Sequence, residues 1–127
     1  MNEKTLFNYL KNKYWNDLEF SDDEFSSWDC FSYSTKTRIE LKCRKTHYKE
    51  LMIEKQKYYS LVKKYIELNE KPLYTNSTPA GIFAFDLRTI NPVWITDKIM
   101  PKTTERNEKT KTQKTYGLIN INQGKKI

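Results

Sequence analysis

Apolar positions along this chain recur first at helical spacing and then at strand spacing. Leu6, Phe7, Leu10 and Tyr14 fall three and four apart, which predicts an amphipathic helix from Glu3 to about Trp15. Glu3 stands in its first turn, where a carboxylate complements the helix dipole. A short strand is expected at residues 18–20, followed by a loop carrying Asp22, Asp23 and Glu24. Residues 29–34 and 37–44 then alternate and predict a hairpin. Ile39, Leu41 and Cys43 take one face of its second strand, and Arg38, Glu40, Lys42 and Arg44 the other. With Thr35-Lys36 as the loop, Asp29 would face Lys42 and stand diagonal to Glu40 on the same face. Neither Thr nor Lys favours positive φ, so a longer loop with another register stays open.

Helical spacing returns at Tyr48, Leu51, Met52, Tyr59, Val62, Tyr65 and Ile66. This predicts a helix from Thr46, its N-cap, to about Asn69, with Gln56 on or beside the apolar stripe. At Lys71 the pattern switches to strands: residues 73–76, a turn at 77–80, an interior strand at 81–87 and a last strand at 93–96. Residues 102–114 are rich in Lys, Thr and Glu and predict a loop or a weak helix. Residues 116–121 predict a short edge strand or a surface segment.

These elements describe one α/β (α+β) domain across residues 1–127: a mixed central sheet of four or five strands flanked by helices, with a basic C-terminal segment at 102–127. Charged residues make up 31% of the chain and aromatics 14%, so the aromatic rings are expected to supply much of the buried area. No run approaches the length of a membrane span and no apolar leader opens the chain, so the expectation is a cytoplasmic protein with no membrane partner. Cys30 and Cys43 form no metal-type pair, and one His is too few to complete a zinc site with them.

Charge is placed unevenly. Residues 1–29 carry seven acids against three bases, a net of −4, and the rest carries nine acids against twenty bases, a net of +11. A basic body of this kind suits a polyanion, most simply nucleic acid. Arg38, Arg44 and Lys45 near the central strand, and Lys109, Lys111 and Lys114 in the C-terminal segment, are the expected DNA contacts.

The candidate chemistry lies in Asp29 and in Glu40-Leu41-Lys42. Phosphodiester cleavage needs a cation to neutralise the phosphate oxygens, a hydroxide-like nucleophile and help for the leaving oxygen. Asp29, Glu40 and the Leu41 carbonyl offer the hard oxygen ligands that Mg²⁺ takes, and Mn²⁺ would substitute. Lys42 is a compact cation able to orient water or to stabilise charge on phosphorus. On a solvated strand, alternating Glu and Lys usually make only weak surface ion pairs, so the spacing alone proves little.

The order of elements adds weight. A helix with Glu3, a strand opening at Asp29, Glu40-x-Lys42 on the next strand and a long helix with Gln56 resemble the PD-(D/E)XK nuclease superfamily. In detail they resemble the small archaeal Holliday-junction resolvases and related phage nucleases. The resemblance spans roughly residues 3–90 and implies a restriction-endonuclease-like fold and a Mg²⁺-dependent endonuclease for DNA, with a preference for branched DNA. It also implies an active site of Glu3, Asp29, Glu40 and Lys42 supported by Gln56, and a homodimer that cuts two strands symmetrically. Trp28 stands where the family often has Pro, and Glu19 or Asp23 are alternatives to Glu3 as the fourth acid. Two other functions remain open: a non-catalytic nucleic-acid-binding protein, and an interaction protein such as a phage inhibitor of a host enzyme.

Overall fold

The computed structural model describes residues 1–20, 29–96, 99–101, 111–113 and 115–127. The expected loop with Asp22, Asp23 and Glu24 lies outside the described residues, as do Trp28, Lys109 and Lys114. Helix α1 (Glu3–Lys13) is capped by Asn2, whose side-chain oxygen accepts from the Thr5 backbone N–H at 2.8 Å. Lys11 and Lys13 occupy its last turn, and Leu6, Phe7 and Leu10 form its buried stripe.

Strands β1 (Glu19–Phe20), β2 (Asp29–Ser32) and β3 (Thr37–Cys43) follow. The loop between β2 and β3 has four residues, so Asp29 stands directly opposite Glu40 and Phe31 opposite Arg38. This corrects the two-residue turn and its pairing of Asp29 with Lys42. Here only Lys36 takes a positive φ, of 51°. Asp17 holds the turn, accepting from the Ser32 hydroxyl and the Ser34 backbone N–H, both at 2.7 Å. The register moves by two residues, so every side chain keeps its face.

The largest departure from expectation lies at residues 46–54. The long helix does not start at Thr46. Residues Glu50–Glu54 form strand β4, and α2 occupies Lys55–Leu68. The stretch Glu-Leu-Met-Ile-Glu satisfies both periods, and a distant partner decides between them. Strand β4 pairs antiparallel with β10 (Tyr116–Asn120), which buries Leu51 and Ile53. Helix α2 ends where expected, with Asn69 in the left-handed conformation at φ 56°.

Strands β5 (Lys71–Thr78) and β6 (Gly81–Asp86) match the expected pair, with β5 longer than predicted. Strand β7 spans Val93–Ile95, β8 Ile99–Pro101 and β9 Lys111–Gln113, and β11 covers Lys125–Lys126. The main sheet is mixed, in the order β1-β2-β3-β5-β6-β11, and β3 with β5 is its parallel pair. Two-residue strands at both edges bring it to six. A second sheet orders β4-β10-β7, so residues 116–120 sit at its centre rather than at an edge, and β8 pairs with β9.

Each face of the main sheet has its own core. Helix α1 packs Leu6, Phe7 and Leu10 against Cys30, Ile39, Leu41 and Leu73. On the other face, Leu61 of α2 joins Tyr74, Phe85 and Leu87 with Leu51, Ile53 and Ile119 of the second sheet. Among the described residues no helix is long and apolar enough to cross a membrane.

Candidate active site

Strand β2 begins at Asp29, so among the described residues β3 has no β2 partner beyond Glu40. Asp29, Glu40 and Lys42 share the α2 face of the sheet, by the period of the strand. Asp29 is 7% exposed and Glu40 8%, so both carboxylates have lost most of their water. One oxygen of Asp29, Oδ2, accepts from Arg38 Nη1 at 3.3 Å. The other, Oδ1, is buried without a hydrogen-bond partner among the described residues. Glu40 Oε1 accepts from the ammonium of Lys57, on α2, at 2.5 Å.

Burial pushes the Asp29 carboxyl above its ordinary value, against the opposing pull of Arg38 and Lys64. Burial likewise raises Glu40, although Lys57 and, more weakly, Lys42 favour its charged form. Negative Asp29 raises Glu40 further. Two acids whose ionisation is disfavoured thus stand at close quarters, and a bound cation would favour their charged forms. Burial lifts the neighbouring Cys30 thiol far above its ordinary range, which disfavours the thiolate, and its Sγ lies 3.6 Å from the Ile39 carbonyl oxygen.

The expected site residues separate into groups. Asp29 and Glu40 come together. Lys42 is exposed on the same strand face, and its charge is felt by Glu40. Gln56 lies exposed in the first turn of α2, and its neighbour Lys57 reaches Glu40 instead. Glu3 lines a cleft of about 540 Å³ with Cys43, Arg44, Lys45 and Thr78, beyond the C-terminal side of Lys42. Its charge adds to the burial that raises the Cys43 thiol. Glu19, opposite Phe31 on β1, shares the face of Asp29 but is exposed at the sheet's edge.

Two of the expected DNA contacts are engaged inside the protein. Arg38 binds Glu70 through Nε at 2.7 Å as well as Asp29, and its guanidinium lies 4.7 Å above the Phe31 ring. Arg44 donates to Asn76 at 2.8 Å, to the Met52 carbonyl at 2.6 Å and to the Tyr74 hydroxyl at 3.0 Å, tying the main sheet to β4. Lys45 is exposed.

Sequence reasoning missed Lys57 and Glu70. Lys57, Leu61 and Lys64 follow helical spacing on one face once α2 starts at Lys55, which is the signal that a helix begun at Thr46 obscures. Glu70 gave no signal, since it sits just past the helix end and meets Arg38 only through the parallel pairing of β3 with β5.

Among the described residues no three His, Cys, Asp or Glu side chains converge to hold a metal ion. A divalent ion that keeps much of its water needs only one or two carboxylates. Asp29, Glu40 and the Leu41 carbonyl offer that donor set, and the partnerless Asp29 Oδ1 is the oxygen that such an ion would satisfy.

No protein-family model matches the chain, and no curated protein matches its sequence. Among solved structures, the fold is similar to that of Hjc, a Holliday junction resolvase from Archaeoglobus fulgidus, an archaeal hyperthermophile. The TM-score is 0.56 at 16% identity, and the match covers 99% of this chain and 93% of that one. The likeness establishes a resolvase-like, restriction-endonuclease-like fold of mixed α+β class.

Proposed function

We propose that this protein is a metal-dependent DNA endonuclease, with Mg²⁺ as cofactor and branched DNA as the favoured substrate. The observation that carries the reading is the direct opposition of Asp29 and Glu40, with Asp29 Oδ1 partnerless and Lys42 two residues along the same strand. The fold shared with a Holliday junction resolvase supports the substrate class, and symmetric cutting of two strands would call for a homodimer.

In this mechanism Asp29 and Glu40, with the Leu41 carbonyl, would hold the cation. When bound, Mg²⁺ would neutralise phosphate oxygens and make water a better nucleophile. Arg38 fixes the Asp29 carboxylate through Oδ2 and leaves Oδ1 available. Lys42, exposed on the same face, donates to a phosphate oxygen or orients the attacking water. Lys45 and the basic C-terminal segment, with Lys109, Lys111 and Lys114, neutralise flanking phosphates in a salt-dependent manner.

One observation favours a second reading, a DNA-binding protein without catalysis. Lys57 already neutralises Glu40, and Arg38 already neutralises Asp29, so the acids have internal counter-ions. Incubation of the purified protein with branched, single-stranded and linear duplex DNA, with and without Mg²⁺ or Mn²⁺, separates the two. The endonuclease reading expects metal-dependent cleavage, strongest on the branched substrate. Intact DNA in both metals, with retained binding, supports the second reading.

A further inference from the structure

Arg38 and Lys57 are both cations on buried acids, but they are held differently. Arg38 spans Asp29 and Glu70, packs over Phe31, and its side chain is only 17% exposed. Lys57 reaches Glu40 on a flexible four-carbon stem and is 35% exposed, while the Glu40 side chain is 11% exposed. The base of that stem is fixed. Leu61, one turn further along α2, is buried against the core that includes Tyr74, the register partner of Glu40 on β5. Helix α2 therefore suspends an ammonium over Glu40 with an open route to solvent.

A divalent ion and an ammonium held at one carboxylate oxygen repel each other strongly where water is scarce, so binding of the one disfavours the other. We propose that Lys57 is a displaceable counter-ion. It holds Glu40 Oε1 while the site lacks a metal and swings outward when a divalent cation takes that oxygen. Arg38 stays in place throughout. Lys57 thus sets the threshold of divalent concentration at which the site fills. The inference rests on the metal-dependent reading above.

Mn²⁺ binding to the full chain, followed by calorimetry and by the electron spin resonance of the free ion, tests it. Lys57→Met should bind Mn²⁺ about tenfold more tightly than the wild type, since the ion no longer competes with a tethered cation. Lys63→Met removes an exposed charge from the same helix and should leave the affinity nearly unchanged.

A second measurement needs no variant. Acetylation of Lys57 by an amine-reactive ester, read by mass spectrometry on the wild type, should accelerate several-fold when Mn²⁺ is added. Equal or weaker Mn²⁺ binding by Lys57→Met, or Lys57 labelling that ignores saturating Mn²⁺, overturns the counter-ion role and leaves the nuclease reading standing. Absence of Mn²⁺ binding in both wild type and variant overturns both.

Discussion

Strand β3 presents two unlike faces to two unlike helices. Toward α1 it turns Ile39, Leu41 and Cys43, which meet Leu6, Phe7 and Leu10 in an apolar contact. Toward α2 it turns Arg38, Glu40 and Lys42, and its direct bond to that helix is the ion pair of Glu40 with Lys57. The first face stabilises the fold at about 25 cal/mol per Å² of apolar surface removed from water. The second removes carboxylates from water, and the raised Asp29 and Glu40 indicate that their partners do not fully compensate. One strand therefore packs apolar side chains on one side and holds carboxylates away from water on the other.

The sharpest way to break this division is to change one side and read the other. Glu40→Ala removes a metal ligand under the proposed function, so Mg²⁺-dependent cleavage should fall by about 10³-fold or more. DNA binding should be kept or improved, because a negative charge near phosphate is gone. Gel-shift and cleavage assays on the same preparation check both halves. Ile39→Ala, one residue away on the other face, should do the reverse. Its side chain is fully buried under α1, so truncation should cost about 3 kcal/mol in urea unfolding. Cleavage by the fraction still folded should be unchanged. A large loss of turnover in folded Ile39→Ala would show that the two faces are not separable.

The division was legible in the sequence because alternation has period two and survives errors in pairing. The register of the hairpin was not, since a four-residue turn held by Asp17 leaves no mark in the alternation. Even so, Asp29 and Glu40 kept a common face, because the register moved by an even number. The start of α2 was illegible for a different reason. Leu51 and Met52 fit a helical stripe while Leu51 and Ile53 fit a strand, and their pairing with residues 116–120 is set by contacts far along the chain. A helix begun at Thr46 obscures Lys57, whose place in a first turn follows only from a start at Lys55. The family resemblance points to Gln56, while its neighbour Lys57 carries the contact. Arg38 and Arg44 read as surface cations because a sequence shows charge and not burial.

A smaller effect sharpens the ionic side. Glu40→Gln keeps the shape of the side chain and removes its charge. Because burial raises Glu40 from its ordinary 4.5, the folded protein holds this proton more tightly than the unfolded chain. The stabilising contribution of the group is therefore complete below the unfolded value and is lost as pH rises through the folded one. In urea titrations without divalent ions, Glu40→Gln should be more stable than the wild type at neutral pH. The gap should close as pH falls below the ordinary carboxylate range. A wild type more stable than Glu40→Gln at neutral pH would mean that the Lys57 pair outweighs the burial of Glu40.

The smallest effect supplies the opposite sign. Asp86 and Arg88 pair at the surface, with Nη2 and Oδ2 2.6 Å apart and both side chains about a third exposed. The hydrogen bonds from Arg88 hold the Asp86 carboxyl below its ordinary 3.8. A depressed folded value gives stability that is present above the unfolded value and lost as pH falls through the folded one. Water and salt screen such a pair, so Arg88→Ala should cost less than about 1 kcal/mol at neutral pH. That cost should shrink at high salt and disappear in acid, whereas the gain from Glu40→Gln, which arises from lost solvation, should change little with salt. Urea midpoints for both variants, at two salt concentrations and across the acid range, therefore distinguish an acid held by its partner from an acid held against its burial.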